Sequence, residues 1–150
     1  MKDTANLLNH SQWSAGDYDN TNIYNTLNTI RTTNAFYTNE YSGIGEYSIK
    51  MIKQAATGAY CRVKYNNSIH NKTVVASAAI KTNNYNSQLI LLEIKNDTII
   101  QQETVVIPAN TEGIFTVSLV AGNDNDSFII QFNNLGPIDS FIHVDDVCLI

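Results

Sequence analysis

The stretch Tyr60-Cys61-Arg62-Val63-Lys64-Tyr65 alternates residue by residue between two sets of side chains. An extended strand sorts such a pattern onto two faces, with Cys61, Val63 and Tyr65 toward a core and Tyr60, Arg62 and Lys64 toward water. Val74, Ala76, Ala78 and Ile80 stand against Val75, Ser77, Ala79 and Lys81 in the same way. Further strands are expected at 89–95, 104–107, 114–120 and 127–133. Between them lie the turn formers Asn83-Asn84-Tyr85-Asn86, Asn96-Asp97, Pro108-Ala109-Asn110 and Gly122-Asn123-Asp124. Strands recurring roughly every ten residues with turns between them predict an all-β sandwich or barrel. Phe115, Phe128 and Phe132 sit within these alternating patterns and are assigned to its core. The first 45 residues lack a clean period and are expected to form long loops or short strands. Helical spacing at Ile23, Leu27 and Ile30 is opposed there by several threonines and asparagines.

A chain of 150 residues is the size of one domain, and no linker, repeat or charge run divides residues 1–150. Its net charge of −5 and only two arginines, Arg31 and Arg62, disfavour a nucleic-acid partner, whose phosphates demand basic residues. No apolar run approaches the ~18 residues of a membrane helix, so membrane insertion is not expected. The start, Met1-Lys2-Asp3-Thr4-Ala5, is not followed by a signal-peptide core, so an export signal would lie outside this segment. Charged residues make up only 15% of the chain, and asparagine, threonine and serine fill the gap. Such side chains suit neutral, hydroxyl-rich partners, although codon bias would produce the same composition. Cys61 and Cys148 set no disulfide framework, and the sequence does not say whether they approach each other.

The last segment carries information in its period. Ile142 and Val144 share one parity while Val147 and Leu149 share the other, so the alternation slips at Asp145-Asp146. A one-residue slip is what a β-bulge provides. Two adjacent carboxylates there require compensation by a cation, by backbone N–H groups or by water. Calcium, which takes several oxygen ligands, is one answer, and an acidic pair that blunts a sheet edge is the other.

In order along the chain, Asn6-Leu7-Leu8 with Trp13, Gly45-Glu46-Tyr47-Ser48-Ile49-Lys50, Val75-Ala76-Ser77-Ala78-Ala79-Ile80-Lys81 and Phe141-Ile142-His143-Val144-Asp145-Asp146-Val147-Cys148-Leu149 resemble the carbohydrate-binding modules of the galactose-binding-like fold. The chain is similar to modules attached to xylanases and endoglucanases, and to modules on microbial surface and phage-tail proteins. This resemblance implies a jelly-roll sandwich of two antiparallel sheets with about eight to ten strands. It also implies a glycan-binding face, no catalysis and often one structural calcium ion. Asp145 matches the family's metal-binding aspartate, with Glu40 and Glu46 as candidate partners. Two features depart from the pattern. Relatives carry an aromatic where this chain has Ala78-Ala79-Ile80, and an acid shortly after Asn-Leu-Leu where it has Asn9, His10, Ser11 and Gln12.

Sugar rings stack on aromatic side chains, and Tyr18, Tyr24, Tyr37 and Tyr85 lie in polar, turn-rich surroundings suited to that role. Trp13 is assigned to packing beneath the sandwich. Arg62 and Gln131, on the polar parity of their strands, suit the floor of a binding groove. Catalytic constellations are poor. His10, His70 and His143 lack metal-site spacing. His143 and Cys148, five residues apart, are expected on opposite faces of a regular strand. The expected function is a non-catalytic module that attaches a larger extracellular or cell-surface protein to a polysaccharide or glycan, as a monomeric unit of a multidomain chain. The alternative is a structural or adhesion domain of a cell-surface or phage-tail protein.

Overall fold

The computed structural model describes residues 7–8, 27–30, 33–43, 47–55 and 60–150. Their strands, in chain order, are β1 (Leu27–Ile30), β2 (Thr33–Thr38), β3 (Ser48–Lys53), β4 (Tyr60–Tyr65), β5 (Thr73–Lys81), β6 (Ser87–Lys95), β7 (Thr98–Ile107), β8 (Glu112–Val120), β9 (Ser127–Asn134) and β10 (Phe141–Leu149). They form two five-stranded sheets, one ordered β1-β4-β9-β6-β7 and the other β2-β3-β10-β5-β8. Every pairing is antiparallel, and the chain repeatedly crosses from one sheet to the other, which makes an all-β jelly-roll sandwich. Residues 27–30, the end of the segment with helical spacing, are strand rather than helix, hydrogen-bonded to β4.

The inward parity fills the space between the sheets as the alternation requires. Cys61 and Val63, Leu89 and Leu91, and Phe128, Ile130 and Phe132 come from the first sheet. Ile49 and Met51, Val74, Ala76, Ala78 and Ile80, and Ile142, Val144, Val147 and Leu149 meet them from the second. Phe115 packs against this core while remaining partly exposed. Each large side chain so buried contributes about 1.5–3 kcal/mol relative to exposure.

Strand β7 begins at Thr98, six residues before the sequence pattern suggests. The β6–β7 pairing shifts register between Glu93 and Ile94, so the alternation across 98–103 is broken and reads as irregular. Asn96 and Asp97, at φ 49° and 58°, form the two-residue hairpin turn that precedes it. Two successive left-handed residues are what a type I′ turn needs, and Asn and Asp tolerate them.

The slip in β10 is a bulge. Asp145 pairs with Ala79 and Cys148 with Ser77, so three steps on β10 match two on β5. Asp146 takes the extra position with φ 47°. Val144, Val147 and Leu149 thereby all reach the core, and Asp145 and Cys148 face outward beneath other parts of the chain.

Candidate functional site

The outer face of the β1-β4-β9-β6-β7 sheet carries a continuous polar chain across three strands. Register sets Arg62 of β4 opposite Gln131 of β9, and Asn133 of β9 opposite Gln88 of β6. Arg62 Nε donates to Gln131 Oε1 at 2.7 Å, Gln131 Nε2 to Asn133 Oδ1 at 2.9 Å, and Asn133 Nδ2 to Gln88 Oε1 at 3.1 Å. The Arg62 guanidinium also lies over the Tyr60 ring, 4.5 Å from its centroid. Two contacts thus fix its plane before any ligand arrives. Beside this chain the same face is aliphatic, with Ile90, Leu92 and Ile94 of β6 packed against Ile129. Arg62, Lys64, Ile94, Asp97, Ile99 and Ile129 line a hollow of about 420 Å³ there.

Arg62 and Gln131, both expected on a groove floor, are therefore brought into direct contact. Tyr85 lies in the β5–β6 loop, three residues before Gln88 in sequence, and is 44% exposed. Its ring rests on Gly136, where a Cβ would come within 2.7 Å of it. Tyr37 is on β2 of the other sheet, its backbone paired with Ile49, which separates it from Arg62 by the thickness of the sandwich. Tyr18, Tyr24, Trp13 and Glu46 lie outside the described residues. Sequence reasoning overlooked Asn133 and Gln88. Asn133 shares the parity of Gln131 and was legible, whereas Gln88 needed the β6–β9 register.

The outer face of the second sheet is covered at β10 and β5 by the segment that follows β2. Gly43 N donates to Asp145 Oδ2 at 2.7 Å, and Asp146 N donates to Asp145 Oδ1 at 2.8 Å. Asp145 is fully buried and Asp146 nearly so. The backbone N–H groups that the acidic pair required are thus present at the bulge. Glu40, the other candidate ligand among the described residues, lies 2.9 Å from Lys50 Nζ and 3.1 Å from His143 Nε2. Among the described residues no group of three or more His, Cys, Asp and Glu side chains gathers as a metal site. Gly43 also explains the missing aromatic on β5, because a Cβ there would stand 2.5 Å from that of Ala79. The covering segment occupies the space a ring would need.

His143 is buried against Tyr41 and Phe141, with ring centroids 5.9 Å and 5.4 Å away. Burial pulls its imidazole below the usual histidine range, opposed by the Glu40 carboxylate. An ionised carboxylate only accepts, so His143 Nε2 carries the proton of that bond. The bulge corrects one expectation, since it puts His143 and Cys148 on the same face. They remain apart: their β5 partners Lys81 and Ser77 are four residues distant, about 13 Å at strand rise. Cys61 points into the core, where burial pushes its thiol up to about 12. Cys148 faces away from that core, and the two cysteines are not bridged.

No family profile and no curated protein matches this sequence. Solved structures do share its fold. The enzymatically active domain of bacteriophage CBA120 tailspike protein 4 superposes with a TM-score of 0.70 at 15% identity, covering 97% of this chain and 21% of that one. This chain therefore spans about a fifth of the tailspike. The CBM22-1 xylan-binding domain of Paenibacillus barcinonensis Xyn10C gives 0.65 at 9% identity, covering 83% and 84% of the two chains. The CBM22-1 and GH10 modules of Clostridium thermocellum endo-1,4-beta-D-xylanase 10B, complexed with xylohexaose, give 0.67 at 11%, covering 84% and 26%. At these identities the likeness establishes the architecture, a jelly roll shared with carbohydrate-binding modules.

Proposed function

We propose that this protein is a non-catalytic, glycan-binding module whose ligand lies across the outer face of the β1-β4-β9-β6-β7 sheet. The observation that carries this reading is the Arg62-Gln131-Asn133-Gln88 chain, a fixed row of polar groups whose Arg62, Asn133 and Gln88 members are half-buried, beside the half-buried Ile129 and the buried Ile90, Leu92 and Ile94. Polar groups held in place by one another orient hydroxyl-bearing ligands, and the apolar floor suits the C–H face of a sugar ring. The fold shared with xylan-binding domains supports the same conclusion. Tyr85, exposed in the loop that leads into β6, is the aromatic we assign to stacking. The partner is a polysaccharide or cell-surface glycan, and the module works outside the cell as a monomeric part of a larger protein.

A glycan array tests this directly. The wild-type domain binds at least one polysaccharide family with millimolar or tighter affinity, and Gln131→Ala and Tyr85→Ala each lose most of that binding while remaining folded. Absence of binding to every glycan would leave the structural or adhesion reading. That reading is favoured by one observation, the overlap of nearly the whole chain with part of a phage tailspike.

We also propose calcium at the bulge. Asp145 and Asp146 bring two buried carboxylates together there, and carboxylate oxygens suit a hard cation. Both residues would serve as ligands, and bound calcium would neutralise adjacent charges in a buried position.

A further inference from the structure

We infer that the glycan taken up by this face is acidic, with a sugar carboxylate seated on the Arg62 end of the row; this rests on the glycan-binding reading above. The argument starts from the polarity of the hydrogen-bond chain. A guanidinium has donors and no acceptor, so the Gln131 atom facing Arg62 Nε is its oxygen. The Gln131 amide nitrogen then faces Asn133, which must present its own oxygen, and Asn133 in turn offers nitrogen to the Gln88 oxygen. One donor-only residue therefore orients three amides the same way.

The consequence is a face that mainly donates. Each amide oxygen accepts one hydrogen bond within the row, and the half-buried Asn133 and Gln88 amides keep N–H groups that the row does not use, one on Asn133 and two on Gln88. The terminal nitrogens of Arg62 add a planar fork of N–H groups, since among the described residues its side-chain hydrogen bond is made by Nε. An ionised sugar carboxylate only accepts, and its planar pair of oxygens, unlike a tetrahedral sulfate, matches that fork. Among the described residues no carboxylate forms an ion pair with Arg62 or Lys64. Lys64, two residues along β4 and about 7 Å away by strand rise, extends the positive charge. Acids lie toward the other end of the hollow. Asp97 lines its rim, and Asp126 feels the charges of Lys95 and Lys64. The carboxylate is accordingly placed at Arg62, away from those acids, with the ring over Ile94 and Ile129. The protein carries a net charge of −5, so attraction to an acidic polymer has to be local to this face.

The test compares polygalacturonate, alginate and glucuronoxylan, each beside its carboxyl-reduced counterpart, by calorimetry or affinity electrophoresis at low and high salt. At least one acidic polymer binds about tenfold or more tightly than its reduced form, and salt weakens that binding. Arg62→Lys keeps the charge but loses the fork and lowers affinity about tenfold. Gln131→Glu, nearly isosteric, gives Arg62 an internal carboxylate and abolishes preference for the acidic form. Melting curves verify that both variants are folded. Equal or stronger binding to the reduced polymers overturns the acidic assignment and leaves glycan binding intact. Dextran sulfate bound as tightly as the best uronate would also overturn it, because charge without planar recognition would then suffice. Failure to bind any of these glycans, or any on the array, removes the glycan-binding reading itself.

Discussion

Arg62 shows how much one side chain can set when its chemistry has no alternative. Because it only donates, the orientations of Gln131, Asn133 and Gln88 follow from it. Glu93 is a second such residue, almost completely buried yet accepting from Gln101, Asn125 and the Gly122 backbone. Asn125, one of five Asn-x-Ser/Thr sites in the sequence, is thereby revealed as a buried cross-link that also bonds both backbone groups of Ile69. His143 makes a prediction at this scale. Its folded pKa lies below the ordinary value of 6.5, chiefly through burial, so the unfolded chain binds a proton first as pH falls. The stability it contributes is complete above that ordinary value and is lost as pH drops through the folded value. The groups facing it are Glu40, Lys50, Lys81 and the Tyr41 and Phe141 rings. Glu40, itself held below its ordinary value by hydrogen bonds from Lys50 and then His143, adds a loss of the same sign at lower pH. The melting temperature therefore falls between about pH 7 and pH 5 and falls less in His143→Gln. An unchanged pH slope in the variant would refute the assignment.

At the scale of elements, β10 and the segment covering it form one unit. The bulge was legible because Val144 and Val147 are both apolar and three apart, a spacing a regular strand cannot bury on one face. What covers the bulge was not legible, because the contact spans 102 residues from Gly43 to Asp145. Gly43 is needed there for space rather than for unusual dihedrals, with the Ala79 Cβ as its nearest obstacle. Gly43→Ala is expected to destabilise by about 1–3 kcal/mol through overpacking. Ala79→Gly removes the obstacle, so the double variant recovers part of the loss, and denaturant unfolding of the four proteins gives the coupling energy. Additive effects would mean that the two residues do not contend for one space.

For the molecule as a whole, the two sheet faces do different work in this reading, one carrying the polar row and its hollow and the other covered, over β10 and β5, by the segment that holds Gly43. The calcium proposed at Asp145 and Asp146 would sit beneath that covering segment. A ligand that binds only the folded state raises stability, so calcium is expected to raise the melting temperature and a chelator to lower it. Asp145→Asn should abolish that difference; a wild-type protein indifferent to both additions contains no such site. The sequence by itself determined the all-β architecture, because strands at 60–65 and 73–81 sort their residues by a period of two that needs no partner to be seen. It also determined the irregularity at Asp145-Asp146 and the outward parity of Arg62 and Gln131. Only the tertiary structure decided that these two residues touch, that Gln88 extends their row, that Glu40 turns to Lys50 and His143, and that His143 and Cys148 share a face. The physical reason is register. Side-chain parity is a local property of each strand, whereas which residues stand opposite one another depends on hydrogen bonds between strands far apart in the chain.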